Sequence, residues 1–424
     1  MRVRELVIIG GGPAGLSAAV EAKKLGVEDV LIIDRESEPG GILKQCIHTG
    51  FGLHVFKEEL TGPEYAERFI AEAQERGIEI MLDTMVIELT DDRRILAVNS
   101  RDGLVELKAR AVILAMGCRE RTRGAINIPG FRPSGIFTAG TAQYFINIEG
   151  YMPGKEVVIL GSGDVGLIMA RHLTLEGAKV KCVAEIMPYS NGLTRNIVQC
   201  LQDFNIPLLL NHTVVNIHGK KRVEGVTIAE VDLNRKPRME TARYVSCDTL
   251  LLSVGLIPEN ELSRMAKVQI DEVTGGPVVD QSMQTTIEGI FACGNVLHVH
   301  DVVDLVTIEA RVAARGAADF LKQKKKRIRP ATVPVIPGEG LRYVLPQRID
   351  LDGALEETQN FFMRSVKPMD RGRLLIQSDR GVVMSKNLKF IRPSEMISIK
   401  VKREILQQNN CLKISLCEGS ENGD

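Results

Sequence analysis

The reading of this chain turns on residues 6–15, LVIIGGGPAG, and residues 157–166, VVILGSGDVG. Each is an apolar run of strand length that enters G-x-G-x-x-G and leaves into a stretch rich in Ala, Leu and Met. Gly10, Gly12 and Gly15 map onto Gly161, Gly163 and Gly166 at an offset of 151 residues, and the same offset carries Gly26 onto Gly177 and Asp34 onto Glu185. Dinucleotide binding explains the spacing. The first glycine permits the tight turn, the second lets the backbone approach a pyrophosphate, the third lets helix pack on strand, and an acid about 20 residues on accepts from a ribose hydroxyl. The helix start adds unpaired N–H groups and the positive end of its dipole. One such triplet is compatible with an ordinary turn. Two in one register, each with strand, helix and acid, are two βαβ units and imply two dinucleotides.

Composition sets the bounds. At roughly 150 residues per domain, 424 residues give two or three domains. Lys plus Arg and Asp plus Glu are balanced at 54 each, so no net field exists to hold a nucleic-acid backbone, and no nucleic-acid partner is expected. The apolar runs at 111–116 and 249–252 fall far short of the roughly 20 residues of a membrane span. Residues 5–9 run as a strand straight into the glycine loop, so no signal peptide and a cytoplasmic location are expected. Eight cysteines contain no C-x-x-C pair, so zinc ribbons, iron–sulfur ligation and a dithiol motif lack support.

Three further segments, 111–117 (AVILAMG), 249–258 (TLLLSVGLIP) and 285–295 (TTIEGIFACGN), read as strands ending in glycine turns, the last followed by an Ala-rich helical stretch over 303–320. Across residues 3–325 this arrangement resembles the two-dinucleotide-binding-domain flavoproteins of the disulfide-reductase type. That resemblance implies FAD on the first unit and NAD(P)H on an inserted second one. It also implies that the segment at Gly294 closes back on the flavin, with Asn295 where the family usually has Asp, and that the next helix points its N-terminus at the flavin pyrimidine. Residues 40–48 (GGILKQCIH), 117–123 (GCRERTR) and 294–301 (GNVLHVHD) are similar to NAD(FAD)-dependent dehydrogenases that accompany glycerol-3-phosphate dehydrogenases. They are similar too to flavoprotein subunits of sarcosine, opine and proline oxidising complexes. The likeness implies a flavoprotein subunit working beside a partner redox subunit.

The expected fold is α/β, with two Rossmann-like dinucleotide-binding domains, the second inserted in the first, and a small β-rich C-terminal domain. The expected boundaries are 1–124 and 281–323 for FAD, 125–280 for NAD, a linker over 324–340 marked by KQKKKRIR (322–329) and three prolines, and 341–424 for the tail. Short strands are expected in the tail at 374–377, 381–385 and 396–401, and docking of a partner or a second copy is its candidate role. The candidate cofactor-binding residues about the first unit are Gly10, Gly12, Pro13, Ala14, Gly15, Asp34, Arg35, Gly40, Gly41, Ile42, Val86, Ala115, Met116, Gly117, Gly294, Asn295 and Thr307. In the second unit they are Gly161, Gly163, Asp164, Val165, Gly166, Glu185 and Gly255.

Glu185 favours NAD over NADP, because a carboxylate accepts from a free 2'-hydroxyl and repels a 2'-phosphate, and no Arg follows before Arg195. Cys46 and His48 lie where disulfide reductases place redox cysteines. A thiolate at Cys46 activated by His48 is the catalytic reading; a buried thiol beside a pocket histidine is the alternative. His298 and His300, with Asp301 and Asp304, lack a further ligand set at helical spacing and read as polar groups at the flavin mouth, with no metal expected. The expected activity is hydride transfer between NAD(H) and FAD, with electrons passed to or from a partner subunit. The alternatives are a subunit of an amine or imino-acid oxidising complex and a non-catalytic nucleotide sensor.

Overall fold

The computed structural model describes residues 2–323, 332–353 and 356–419. The chain divides into two compact units, residues 1–118 with 258–424, and residues 119–257. In the first, strand β1 (Arg2–Ile9) enters the glycine loop and helix α1 (Pro13–Lys24), and the chain returns as β2 (Val30–Ile33), parallel to β1. On its other side β1 pairs in parallel with β3 (Gly103–Leu114). Leu6, Val7, Ile8, Leu31, Ile32, Val112 and Ile113 are all fully buried, as strands covered on both faces require. At about 1.5–3 kcal/mol for each large apolar side chain, this layer anchors the unit. Helix α1 starts at a proline, whose fixed φ suits the first turn, and buries Leu16, Ala18, Ala19 and Ala22.

The second unit repeats the first. Strand β4 (Glu156–Leu160), helix α2 (Asp164–Leu175) and β5 (Lys179–Glu185) follow in order, and β6 (Thr249–Leu252) pairs with β4 as β3 pairs with β1. The offset of 151 holds bond by bond. Gly10 N donates to Ile33 O at 2.9 Å, and Gly161 N to Ala184 O at 2.7 Å; Val27 N donates to Ala22 O, and Ala178 N to Leu173 O. Gly26 and Gly177 end the two helices at φ +88° and +89°. A three-stranded antiparallel sheet, His212–His218, Gly225–Glu230 and Arg243–Ser246, completes this unit.

The chain then returns to the first sheet as β7 (Ile290–Ala292), parallel to the end of β3, and leads into helix α3 (Val303–Lys322). Here the expected boundaries need correction. The inserted unit spans 119–257 rather than 125–280, because Ala266 and Val268 join the core of the first unit and Asn260 Nδ2 donates to Val296 O at 2.8 Å. The expected linker at 324–340 is not wholly a linker. Residues 324–331, which include most of the basic run, lie outside the described residues, but Thr332–Pro337 is a strand. Val333 and Val335 are buried while Pro334 and Ile336 face outward, a period-two pattern that the prolines mask.

The tail has its own core, built on Phe361, Met363, Ile376, Val401 and Ile414 between a five-stranded and a three-stranded sheet. The strands expected at 374–377, 381–385 and 396–401 are Met369–Ser378, Gly381–Ile391 and Ile397–Lys402. The tail is not an independent body, however. Tyr343, Leu345 and Phe362 join the core of the first unit. Arg364 donates to Asp301 and to the carbonyls of Val299, Pro393 and Ser394, while Met396 N donates to Asp301 Oδ2 at 2.6 Å. Among the described residues no helix is long and apolar enough to cross a membrane. Because Arg364 and Asp301 are largely buried, Arg364→Leu leaves an uncompensated carboxylate and is expected to cost about 3 kcal/mol of stability, measured by denaturant unfolding. An unchanged midpoint would show that the pair does not clamp the tail.

Candidate functional site

The glycines of the first loop divide by what surrounds them. Gly10 has φ +110°, and a Cβ there would lie 2.4 Å from Ala115 O; a Cβ at Gly15 would lie 1.8 Å from Gly10 O. The protein's own backbone requires both. At Gly12, whose φ of −77° suits any residue, a Cβ would meet nothing nearer than Gly41 Cα at 4.0 Å. Gly40 and Gly41 cover one side of this bare backbone, with Gly40 N donating to Gly11 O at 2.9 Å and Gly41 at φ +57° close against Gly12. Helix α1 begins here with no side-chain cap. An uncapped helix start beside side-chain-free backbone fits a pyrophosphate.

In the second unit a Cβ at Gly161 would lie 2.1 Å from Ser253 O and one at Gly166 2.6 Å from Ser253 Cβ, while one at Gly163 would first meet Ser253 Oγ, at 3.1 Å. Helix α2 also starts without a side-chain cap. Gly117 and Gly255 both take positive φ just beyond the ends of β3 and β6, with open space where a side chain would stand. These positions lie at the carboxyl ends of parallel strands, where open α/β sheets bind ligands.

The two acids do the same work in both units. Asp34 accepts from Gly11 N and, through Oδ1, from Glu36 N at 2.9 Å. Glu185 accepts from Ser162 N at 2.9 Å, Ser162 Oγ at 2.6 Å and Met187 N at 2.9 Å. Both carboxylates are buried, so each first ties down its own glycine loop, and a ribose would share oxygens already in use. Arg35 points to solvent and pairs with Glu259 at 3.3 Å; Ile42 is exposed, Val86 is buried in the strand Met85–Leu89, and Met116 packs on the first core. Asp164 Oδ1 accepts from Leu193 N and Asn196 Nδ2, and Val165 packs on the core of its own unit. Pro13 and Ala14 open α1, and a Cβ at Gly294 would stand 2.9 Å from that of Ala14, which brings the closing segment to the helix start.

Four expectations change. Thr307 is fully buried and its hydroxyl pairs with Tyr65 OH at 2.7 Å, inside the protein. Asn295 Oδ1 accepts from His300 N at 3.1 Å and Nδ2 reaches Cys118 Sγ at 3.5 Å, so its amide serves the chain itself. Burial pushes the Cys46 thiol up to about 12, and Sγ donates to Ile42 O at 3.3 Å; this disfavours the thiolate. His48 rests against Phe51, with Nδ1 3.2 Å from Thr49 O. Asp304, grouped with the histidines by sequence, instead accepts from the amides of Gly52, His54 and Val55.

Sequence reasoning missed Glu309. It is fully buried on α3, accepts from Gly294 N at 2.7 Å, and has Oε2 at 2.9 Å from His298 Nε2 and 3.3 Å from His300 Nε2. Burial pushes its carboxyl up, but His300 and His298 outweigh this and hold it well below the usual range. Burial and the neighbouring His300 keep His298 below its ordinary value. The signal was present: residue 309 stands beside Val306, Ala310 and Ala313 on the buried stripe of the helix, where an acid needs a partner.

Residues 4–318 match the pyridine nucleotide-disulphide oxidoreductase family, and the chain belongs to it. Members pair a flavin with a nicotinamide nucleotide. The chain is 28% identical over 311 residues to an NAD(P)H sulfur oxidoreductase (CoA-dependent) of Pyrococcus abyssi, covering 71% of this chain and 64% of that protein. Thus it spans less than two thirds of that relative. It is 24% identical over 383 residues to an opine oxidase subunit of Agrobacterium tumefaciens, covering 85% of this chain and 74% of that one. Among solved structures, thioredoxin reductase of T. acidophilum superposes with a TM-score of 0.63 at 26% identity, over 75% of this chain and 99% of that one.

Two outcomes test this geometry. Gly12→Ala is expected to fold with an unchanged unfolding midpoint when flavin is absent but to hold FAD at least tenfold more weakly, about 1.4 kcal/mol, whereas Gly15→Ala is expected not to fold; titration with FAD and thermal melts separate them. For Cys46, a raised value means the folded protein holds its proton until well above pH 9. Iodoacetamide labelling of Cys46, followed by mass spectrometry, is therefore expected to show no inflection below about pH 10. An inflection near neutrality would restore the thiolate.

Proposed function

We propose that this chain is the flavoprotein subunit of an NAD-linked oxidoreductase, with FAD at the first glycine loop and NAD(H) at the second. The observation that carries the reading is the duplicated lock: an acid at the tip of the second strand holds the amide at position 11 or 162 and leaves Gly12 or Gly163 without a side chain beside an uncapped helix. FAD supplies a two-electron store that accepts or returns hydride from nicotinamide. The residues of the chain position the two nucleotides and need provide no acid or base for that transfer. Asp34 and Glu185 hold the loops in binding shape, and the unobstructed backbone at Gly117 and Gly255 leaves room at the strand ends.

NAD is proposed over NADP because Glu185 carries its charge where a 2'-phosphate would sit, and the nearest following guanidinium, Arg195, is separated from it by nine residues. A partner redox subunit is proposed from the short motifs at 40–48, 117–123 and 294–301, with a glycerol-3-phosphate dehydrogenase as one candidate. Two relatives, the opine oxidase subunit and hydrogen cyanide synthase subunit HcnB of Pseudomonas protegens, are by name subunits of larger assemblies. The match to the opine oxidase subunit spans 85% of this chain and supports a second reading, membership of an amine-oxidising complex.

The test is the anaerobic visible spectrum of the purified protein on adding NADH and, separately, NADPH. Bleaching of a flavin spectrum by NADH at least about tenfold faster than by NADPH, a difference of about 1.4 kcal/mol, is the expected result. Flavin that resists both nucleotides would overturn the NAD-linked reading in favour of the amine-oxidising complex, and protein that never binds flavin would leave a nucleotide sensor.

A further inference from the structure

His298, His300 and Glu309 form a closed cluster outside the glycine loops. Their side chains are 1%, 3% and 1% exposed, and one donor atom from each lies within 4.8 Å of the others. The hydrogen bonds around them constrain the protons. Asn295 Oδ1 accepts from the backbone N–H of His300, which fixes the oxygen of that amide on the histidine side, and the same oxygen is 3.3 Å from His300 Nδ1. Nδ1 must therefore carry a proton. In a neutral ring Nε2 then presents a lone pair to the Glu309 carboxylate 3.3 Å away, an arrangement that a dry interior does not tolerate without a positive charge between them.

A second imidazole converges on the same carboxylate oxygen. His298 Nε2 stands 2.9 Å from Glu309 Oε2, and the two rings are 4.2 Å apart. Each ring has a polar group at its far nitrogen, Tyr343 OH at 3.2 Å from His298 Nδ1 and Asn295 Oδ1 at His300 Nδ1. Metal-ligating histidines have this arrangement, with one nitrogen on the ion and the other held by an outer partner. Donors bound at about 2.0–2.1 Å in a tetrahedron stand roughly 3.3 Å from one another, close to the 2.9 and 3.3 Å that separate the two Nε2 atoms from Glu309 Oε2. Glu309 Oε1 stays on Gly294 N, which leaves Oε2 for the ion.

We propose that His298, His300 and Glu309 bind one divalent first-row transition ion of the zinc class through Nε2, Nε2 and Oε2. Two imidazoles and a carboxylate without thiolate suit Zn²⁺, and Arg364 and Tyr343 of the tail close the site from the other side. The ion ties the segment 294–301 to α3.

The full chain, produced with zinc in the medium and purified without chelator, is expected to carry about one equivalent of zinc per chain after gel filtration, read by elemental mass spectrometry. His298→Gln with His300→Gln is expected to lose that metal. Should the double variant fail to fold, Co²⁺ exchanged into the unaltered protein gives a second readout: tetrahedral d–d bands in the red without a thiolate charge-transfer band. Protein that carries only trace metal and shows no Co²⁺ bands overturns the proposal. Metal that survives the double substitution places the ion on other residues, a thiolate band places it on cysteines, and either result overturns the proposal as well.

Discussion

A buried carboxylate holding the amide of a glycine loop is the interaction on which both halves of this protein depend. A loop such as Gly10–Gly15 has no side chains to pack and unusually free backbone, so left alone it would sample many shapes. Asp34 removes that freedom by accepting from Gly11 and Glu36, and Glu185 does the same for Ser162 and Met187. Charge-assisted bonds made in a buried site are strong, and they order the loop before any ligand arrives. A nucleotide then meets a preformed cradle and loses less of its affinity to ordering.

The second constraint is steric. Gly10 and Gly161 come so close to the carbonyls of Ala115 and Ser253 that no side chain fits, which fixes how the loop sits on the next parallel strand. Within the first loop, Gly12 is the glycine that lacks such a neighbour although its φ suits any residue. A glycine with no internal reason to be one is the clearest sign, within the molecule itself, that something outside the polypeptide approaches there.

The tail extends the same economy to the segment that follows β7. Residues 298–301 are gripped by Arg364 and Tyr343 from the β-rich sheets and by Glu309 from α3, so this segment is held from both sides. That placement gives the tail a structural task within its own unit, in addition to any docking role.

The local pattern by itself determined the two βαβ units, their offset, the ends of α1 and α2 and the glycine turns at Gly117 and Gly255, because strand and helix periodicity and glycine spacing are local properties that tertiary packing did not override here. It also marked three strands of the tail but not Leu341–Leu345, Arg348–Asp350, Thr358–Ser365 or Leu412–Glu418, nor Thr332–Pro337, which the prolines at 334 and 337 hid. Tertiary structure decided what depends on contacts between distant segments. It joined residues 258–280 to the first core, turned Asn295 toward His300, set the Cys46 thiol on the carbonyl of Ile42, and carried Glu309 to two histidines that lie 9 and 11 residues away. Spacing shows that a residue lies on a buried stripe; only the packing of one element on another shows which polar group meets it there.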